Sequence, residues 1–178
     1  MSRLAAKPIP LEKTVQITVN DELMIAKGPK GELQVRMHPE IEVLVEDGQI
    51  SVRSKPDIKD KAKLGLVFSL VRNAVIGVTS GFSKKMTIDG KGWRSAINGN
   101  VINLQVGYSH PVNFTLPEGV TAVAENPGVF VVHSHDKQLL GQVCADIQKI
   151  RPVEPYKLKG IKIEGQYIRQ KARKAAGA

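Results

Sequence analysis

The sequence has little of what marks exported, membrane-spanning or disulfide-stabilised proteins. It contains one cysteine, Cys144, so no disulfide can form within the chain. No apolar stretch approaches the roughly 20 residues that are needed to cross a bilayer, and residues 1–10 contain no apolar block of signal-peptide length. We therefore expect a cytoplasmic, globular protein that contacts no membrane.

Motifs for catalysis are equally scarce. The one candidate cluster is the segment His133-Ser134-His135-Asp136, because alternate residues of a strand share a face and two imidazoles with a carboxylate could hold a metal ion. However, Asp136 is well placed to cap a following helix, and no third neutral ligand is spaced nearby. A metal-dependent hydrolase built on His133, His135 and Asp136 is therefore the enzymatic alternative and not the preferred interpretation.

Two further patterns lack the surroundings that their chemistry requires. Cys144 lies in an apolar, helix-like stretch, which is typical of a buried thiol rather than a reactive one. Segment 90–94 lacks the third glycine and the following helix of a phosphate-binding loop, and we interpret it as a turn that presents Lys91, Trp93 and Arg94. We predict that the chain is not an enzyme and that it binds no metal, cofactor or small-molecule substrate.

Positive charge, in contrast, is abundant and concentrated towards the C-terminal end. The chain has 26 lysines and arginines against 17 aspartates and glutamates, a net charge of +9. Residues 149–178 hold nine of these cations and only two glutamates, a net charge of +7, whereas the preceding 148 residues carry +2. A concentrated excess of one sign indicates a polyanionic partner, such as a nucleic acid.

The sequence also contains a weak internal repeat. Three pairs of similar segments occur in the same order: 33–35 with His38-Pro39 and 104–106 with His110-Pro111, then 46–48 and 117–119, then 50–54 and 130–134. The last pair is followed in each copy by an aspartate that could cap a helix, Asp57 and Asp136. The repeat predicts two related domains.

Each copy shows strand patterns followed by one amphipathic helix. Residues 28–31 and Asn98-Gly99 predict tight hairpins. Apolar residues recur at helical spacing at Leu64, Phe68, Val71 and Val75, and at Leu140, Val143, Ile147 and Ile150. The predicted fold is α+β, with two tandem, duplicated domains that are each a small antiparallel β-sheet covered by one α-helix. The predicted boundaries are residues 1–81 with an N-terminal arm, 82–151, and a basic C-terminal extension, 152–178.

The C-terminal extension has the composition of an RNA-binding arm. Its cations have too few carboxylates to pair with, and Tyr156 and Tyr167 lie among them, where a ring could stack on a ribose or base. Gly160 and Gly165 could let the backbone approach a ligand closely. A disordered, solubilising tail is the alternative by composition. We expect a chain lacking residues 152–178 to remain folded and to bind its RNA much more weakly.

Several motifs in a fixed order give a more specific indication. Near the C-terminus, Arg151 is followed by Glu154-Pro155-Tyr156-Lys157-Leu158-Lys159-Gly160-Ile161, and further motifs lie at 2–4, 7–10, 27–31, 77–82, 107–112 and 136–143. Together these motifs resemble the family of large-subunit ribosomal protein six, bacterial type, from end to end. There are departures from the family pattern. Leu158 stands where the family usually has a small residue, and Lys91-Gly92-Trp93 replaces a usual Val-Gly-Tyr.

The resemblance implies a structural constituent of the large ribosomal subunit, located in the cytoplasm within the ribosome. It implies binding to large-subunit rRNA near the region where translation factors dock, with neighbouring large-subunit proteins and nearby translation factors as further partners. It implies neither catalysis nor a cofactor. The alternative is a free-standing protein that binds double-stranded nucleic acid. From charge and resemblance together, the predicted RNA-binding residues are Lys91, Gly92, Trp93, Arg94, Tyr108, His110, Arg151, Tyr156, Lys157, Lys159, Gly160, Lys162, Arg169, Lys171, Arg173 and Lys174.

Overall fold

A computed structural model of the chain describes residues 7–12, 14–20, 23–46, 48–54 and 61–172. Its fold is α+β, with small antiparallel sheets and two helices among these residues, as predicted, but each unit contains two small sheets where one was expected. The described residues form two compact units, one up to Phe82 together with His135–Lys137, the other containing Ser83–Ser134 and the chain from Gln138 onward. The predicted N-terminal arm before residue 7 and three predicted residues lie outside the described residues: Asp57, Arg173 and Lys174.

In the first unit, two three-stranded antiparallel sheets precede one long helix. Its strands are β1 (Ile9–Pro10), β2 (Gln16–Val19), β3 (Leu23–Gly28), β4 (Gly31–Arg36), β5 (Ile41–Glu46) and β6 (Gln49–Ser54). The sheet orders are β2-β3-β4 and β1-β6-β5. The hairpin predicted at residues 28–31 is confirmed, because Gly28 pairs with Gly31 across a two-residue loop that begins with Pro29.

Helix α1 (Lys61–Thr79) covers the strands of the first unit. It contacts β3, β4, β5 and β6, and the predicted positions Phe68, Val71 and Val75 are buried, with Leu64 packed against the same core. Contrary to the expectation from sequence, Ala62–Thr79 has a mean hydropathy of 1.4 and is long and apolar enough to cross a membrane by length and composition alone. One face of the helix is buried against two sheets, and 39% of this segment is buried in all.

The second unit contains two sheets and one helix. Its strands are β7 (Phe82–Asp89), β8 (Arg94–Asn98), β9 (Val101–Gln105), β10 (Val112–Thr115), β11 (Val120–Asn126), β12 (Val129–Ser134) and β13 (Gly160–Ile163). The sheet orders are β10-β9-β8 and β11-β12-β7-β13. The second predicted hairpin is confirmed, with its loop one residue later than expected: Asn98 pairs with Val101, and Gly99 takes the first loop position with φ 58°.

Helix α2 (Lys137–Ile150) begins directly after Asp136, the position predicted for its cap. Leu140, Val143 and Ile147 form its buried face, as the helical spacing predicts. Cys144 is also buried, and this burial raises the pKa of its thiol. A higher pKa means less thiolate, so the thiol packs in the core and is poorly suited to nucleophilic chemistry.

The basic C-terminal segment is part of the second unit and not a separate arm. Strand β13 pairs antiparallel with β7, from Gly160 opposite Asp89 to Ile163 opposite Met86, and the side chain of Ile161 is fully buried. This pairing crosses the boundary predicted after Arg151 and gives no support to a separate C-terminal extension. It also leads us to expect that a chain without residues 152–178 is less stable, since that deletion removes a sheet strand.

Candidate nucleic-acid interface

Two glycines make room for the single tryptophan. A Cβ built on Gly90 would overlap the ring of Trp93, and one built on Gly107 would lie 2.9 Å from the indole Nε1. Gly107 also has φ 81°, a conformation that residues with a Cβ rarely adopt. The loops after β7 and β9 therefore converge on a half-buried indole, and this ring is not free to stack on a ligand with both faces.

The guanidinium of Arg151 lies against two aromatic rings. Its Cζ is 5.5 Å from the ring centroid of Trp93 and 5.1 Å from that of Tyr108, within the range of cation–π attraction. The Tyr108 hydroxyl donates a hydrogen bond to the Ile150 carbonyl at 2.7 Å, and the Arg151 carbonyl accepts one from the Ile161 amide at 3.0 Å. Trp93, Tyr108 and Arg151, hereafter the aromatic clamp, thus fix the chain where it leaves α2.

The aromatic clamp should contribute measurably to stability. We expect Arg151→Ala to lower the free energy of unfolding of the second unit by about 1–3 kcal/mol, since two cation–π contacts are lost. Arg94→Ala is the matched control, because it removes the same charge from an exposed side chain that is hydrogen-bonded to Gln105. For this variant we expect the free energy of unfolding to fall by less than about 1 kcal/mol. Urea unfolding, monitored by circular dichroism, measures the free energy of unfolding of both variants. Equal decreases in the two would contradict the stabilising role of the aromatic clamp.

Residues 152–159, hereafter the basic loop, connect α2 to β13 as a closed structure. The Glu154 amide donates to the Lys159 carbonyl at 2.8 Å, and the Leu158 amide donates to the Glu154 carbonyl at 2.8 Å. These bonds leave the side chains of Tyr156, Lys157 and Lys159 exposed. The loop is therefore ordered before any ligand binds, with its cations directed to solvent.

Leu158 closes the basic loop in a left-handed conformation, with φ 57°. For a residue with a Cβ this conformation costs about 1–2 kcal/mol relative to the right-handed one. Glycine adopts it without that cost. The backbone geometry therefore explains why a small residue suits this position, and why leucine here is the departure from the family pattern that affects the loop most directly.

Gly160 is buried and does not offer its backbone to a ligand. A Cβ at this position would lie 2.5 Å from the Cα of Val153, and φ is 151°. The packing gives no support to the expectation that Gly160 lets the backbone approach RNA, because the space in front of it is filled by the start of the basic loop. Gly165 is different, since it is exposed and a Cβ there would meet nothing within 4 Å.

Gly160 should tolerate no side chain. We expect Gly160→Ala to lower the free energy of unfolding by about 2–4 kcal/mol, because it combines an unfavourable φ with overlap against backbone atoms. Gly141→Ala, within α2, serves as the control. A Cβ at Gly141 would meet only the Lys84 Nζ, at 4.0 Å. That change should be neutral or stabilising by up to about 1 kcal/mol. Thermal melts that coincide for the two variants would rule out this packing constraint.

The chain after β13 folds back onto the basic loop. The Lys171 amide donates to the Pro155 carbonyl at 3.0 Å, and the Gln170 side-chain amide donates to the Tyr156 carbonyl at 3.1 Å. At the other end of this segment, Gln148 Nε2 donates to Gln166 Oε1 at 2.6 Å. These glutamines could not be identified from the sequence, because an isolated amide side chain has no characteristic spacing.

The predicted RNA-binding residues divide by their surroundings. Lys162 forms an ion pair with Asp89, and the Arg94 Nε donates to Gln105 Oε1 at 2.6 Å. Gly92 and His110 are exposed in loops. Five cations are exposed and have no carboxylate partner in the part of the chain that the structure describes: Lys91, Lys157, Lys159, Arg169 and Lys171.

The candidate metal cluster is not assembled. His133 is exposed on β12, whereas the buried Ser134 hydroxyl donates to the Gly119 carbonyl at 2.9 Å. Across the described ranges, no group of three or more histidine, cysteine, aspartate or glutamate side chains is placed to hold a metal ion. The geometry thus gives no support to the hydrolase alternative.

Comparison with known proteins gives a consistent family. The family model described as ribosomal protein L6 matches residues 12–81 and 90–164. The chain is 42% identical to the large ribosomal subunit protein uL6 of Desulforapulum autotrophicum, over 99% of both chains. It is 44% identical to that of Salinispora arenicola and 42% identical to that of Dictyoglomus thermophilum, over 98% of both chains in each case. The chain therefore belongs to the ribosomal protein L6 family.

Proposed function

We propose that this protein is a structural constituent of the large ribosomal subunit in the cytoplasm, and that its second unit binds large-subunit rRNA near the region where translation factors dock. Neighbouring large-subunit proteins and translation factors are its further partners, and it performs no catalysis. The relatives named above are proteins of the large ribosomal subunit. The match to them over 98% or more of this chain supports the same assembly here.

The observation that carries the proposal is the basic loop with the segment folded against it. Lys157, Lys159, Arg169 and Lys171 are exposed and lack carboxylate partners among the described residues, while backbone bonds hold the chain that carries them. Each cation that neutralises a phosphate releases counterions, which favours binding. Because the loop is already ordered, little conformational entropy is lost when it binds.

RNA shape is the feature that such a surface recognises. A-form RNA presents its phosphates and 2′-hydroxyls on a wide, shallow minor groove, whereas its deep major groove is closed to side chains. Fixed cations therefore select a backbone geometry rather than a base sequence. Lys91 and the exposed loop carrying His110 belong to separate turns outside the basic loop, and they extend this interface.

We also propose that the two units are copies of one ancestral domain. The strand orders support this, because β1-β6-β5 matches β7-β12-β11 and β2-β3-β4 matches β10-β9-β8 read in reverse. The central strands of the first match are β6 and β12, and in each unit the helix follows that strand. The family model also matches two successive segments. Strand β13 and the basic loop are additions without a counterpart among the described residues of the first unit.

The strand equivalence revises two of the sequence similarities. Segments 50–54 and 130–134 lie on β6 and β12, which are equivalent strands. Segment 33–35 lies on β4, but residues 104–105 lie on β9, which is equivalent to β3. Segments 46–48 and 117–119 likewise fall at different connections. These two similarities do not mark equivalent positions.

Sedimentation tests the proposed function. We expect a tagged copy of the full chain to co-migrate with large subunits through a sucrose gradient and to resist moderate salt. A slowly sedimenting pool that binds generic duplex RNA as tightly as large-subunit rRNA would favour the free-standing binder instead. Crosslinks from the protein to rRNA inside intact subunits, read at residue level, should lie in the second unit; links confined to the first would overturn the assignment of the site.

A further inference from the structure

The segment from Gln166 to Lys171 has two distinct faces. Gln166, Ile168 and Gln170 turn towards the unit: the two glutamines form the hydrogen bonds described above, and Ile168 lines a shallow groove with Val153 and Ile161. The other three residues, Tyr167, Arg169 and Lys171, alternate with them along the chain and are exposed to solvent, and we name them the outer strip.

Tyr167 is the most exposed aromatic residue of the described chain. Its side chain is 88% exposed, compared with 44% for Tyr156 and 45% for Tyr108. The backbone on both sides of it is held in place, because Gln166 bonds to Ile163 and Gln148, and Lys171 bonds to Pro155. The ring is thus presented to solvent by a fixed support, and it makes no contribution to the core.

The charges beside the ring favour a nucleic acid over other aromatic-binding partners. Arg169 and Lys171 are exposed and have no acidic partner within the described residues. An aromatic ring flanked by cations is the combination that binds single-stranded nucleotides, since every base has a face that can stack and every phosphate a charge. A paired base offers no free face in the middle of a helix, so the ring requires an unpaired one.

We propose that the outer strip is a binding site for an unpaired nucleotide of the RNA, in which Tyr167 stacks on the base while Arg169 and Lys171 contact the adjoining phosphates. The site rests on the proposed function. It adds a base-stacking contact to an interface that otherwise contacts only the RNA backbone. The hydroxyl of Tyr167 has no role in this site, because the aromatic ring makes the stacking contact.

Substitutions at Tyr167 test the stacking contact in the full chain with large-subunit rRNA as the probe. We expect Tyr167→Ala to weaken binding by about five- to a hundredfold, as stacking losses on alanine substitution do. Tyr167→Phe should bind within about twofold of the original protein. The slope of log affinity against log salt should be the same in all three, because no charge is removed.

Lys157→Ala distinguishes failure of the proposed stacking site from failure of the proposed rRNA-binding function. If Tyr167→Ala binds normally while Lys157→Ala is weaker with a reduced salt slope, the outer strip is overturned and the rRNA interface stands. If the original protein shows no preference for large-subunit rRNA, both are overturned. Equal weakening by Tyr167→Ala and Tyr167→Phe would point to a hydrogen bond and also overturn stacking.

Crosslinking tests the nature of the nucleotide. A photoreactive azidophenylalanine at position 167 keeps the ring, and reverse-transcription stops locate the nucleotide that it labels in assembled subunits. We expect one nucleotide that is unpaired in the RNA secondary structure. Labelling confined to base-paired nucleotides, or no labelling in assembled subunits, would overturn the proposal.

Discussion

A chain that ends at Arg151 should lose most of the stability of its second unit, whereas a chain that ends at Gly165 should keep most of it. The shorter chain lacks β13, so β7 loses four paired residues and the core loses the fully buried Ile161. Truncating a buried isoleucine alone costs about 2–5 kcal/mol. Such losses are comparable to the roughly 5–15 kcal/mol that stabilise a whole domain.

Urea unfolding of the two truncated chains measures this difference. The chain that ends at Gly165 is the matched control, because it lacks Arg169 and Lys171 but retains all four residues of β13. We expect the shorter chain to show an early or absent transition for the second unit. If both truncated chains unfold at the same urea concentration as the full chain, β13 does not stabilise the sheet.

Removing four cations at once should abolish most of the RNA affinity while leaving the fold intact. In the variant with Lys157, Lys159, Arg169 and Lys171 changed to alanine, we expect the slope of log affinity against log salt to fall by about 3 units, since each phosphate contact contributes about 0.7–0.9. At moderate salt this corresponds to a roughly hundred- to thousandfold weaker complex. All four side chains are exposed, so the melting temperature should change little.

The matched control removes the same charge from the first unit. Lys30, Arg36, Arg53 and Arg72 are exposed there, and their replacement by alanine lowers the net charge by the same four units. We expect the slope of log affinity against log salt to change much less in this control than in the variant of the basic loop and outer strip. Equal changes in both variants would mean that net charge, and not the basic loop, determines the affinity.

Local patterns in the sequence were enough to predict the helices and the two hairpins. The spacing of Phe68, Val71 and Val75 identifies the buried face of α1, because a helix repeats its faces every 3.6 residues whatever lies beyond it. Hairpins depend on a few turn residues, and glycine at a position with positive φ signals them. These features are encoded within ten or twenty residues of one another.

The role of β13 could not be predicted in that way. Its four residues lie in a charged stretch, and only pairing with β7, more than 70 residues earlier, shows that Ile161 belongs to the core. The aromatic clamp is equally non-local, since it joins two loops to the end of α2. The charge count did identify the exposed cations, because exposure of an unpaired lysine is the expected state and needs no tertiary information.

The place of the basic loop in the chain links binding to folding. The loop is bounded by α2 on one side and by β13 on the other, and both of these elements contribute buried side chains to the second unit. When that unit unfolds, the loop loses its shape, so an RNA that binds it binds only the folded state. By mass action, RNA at about a thousand times the dissociation constant would add about 4 kcal/mol to the stability of this unit. Copies of the protein that find no RNA are then the ones most exposed to proteolysis, and assembly itself protects the rest.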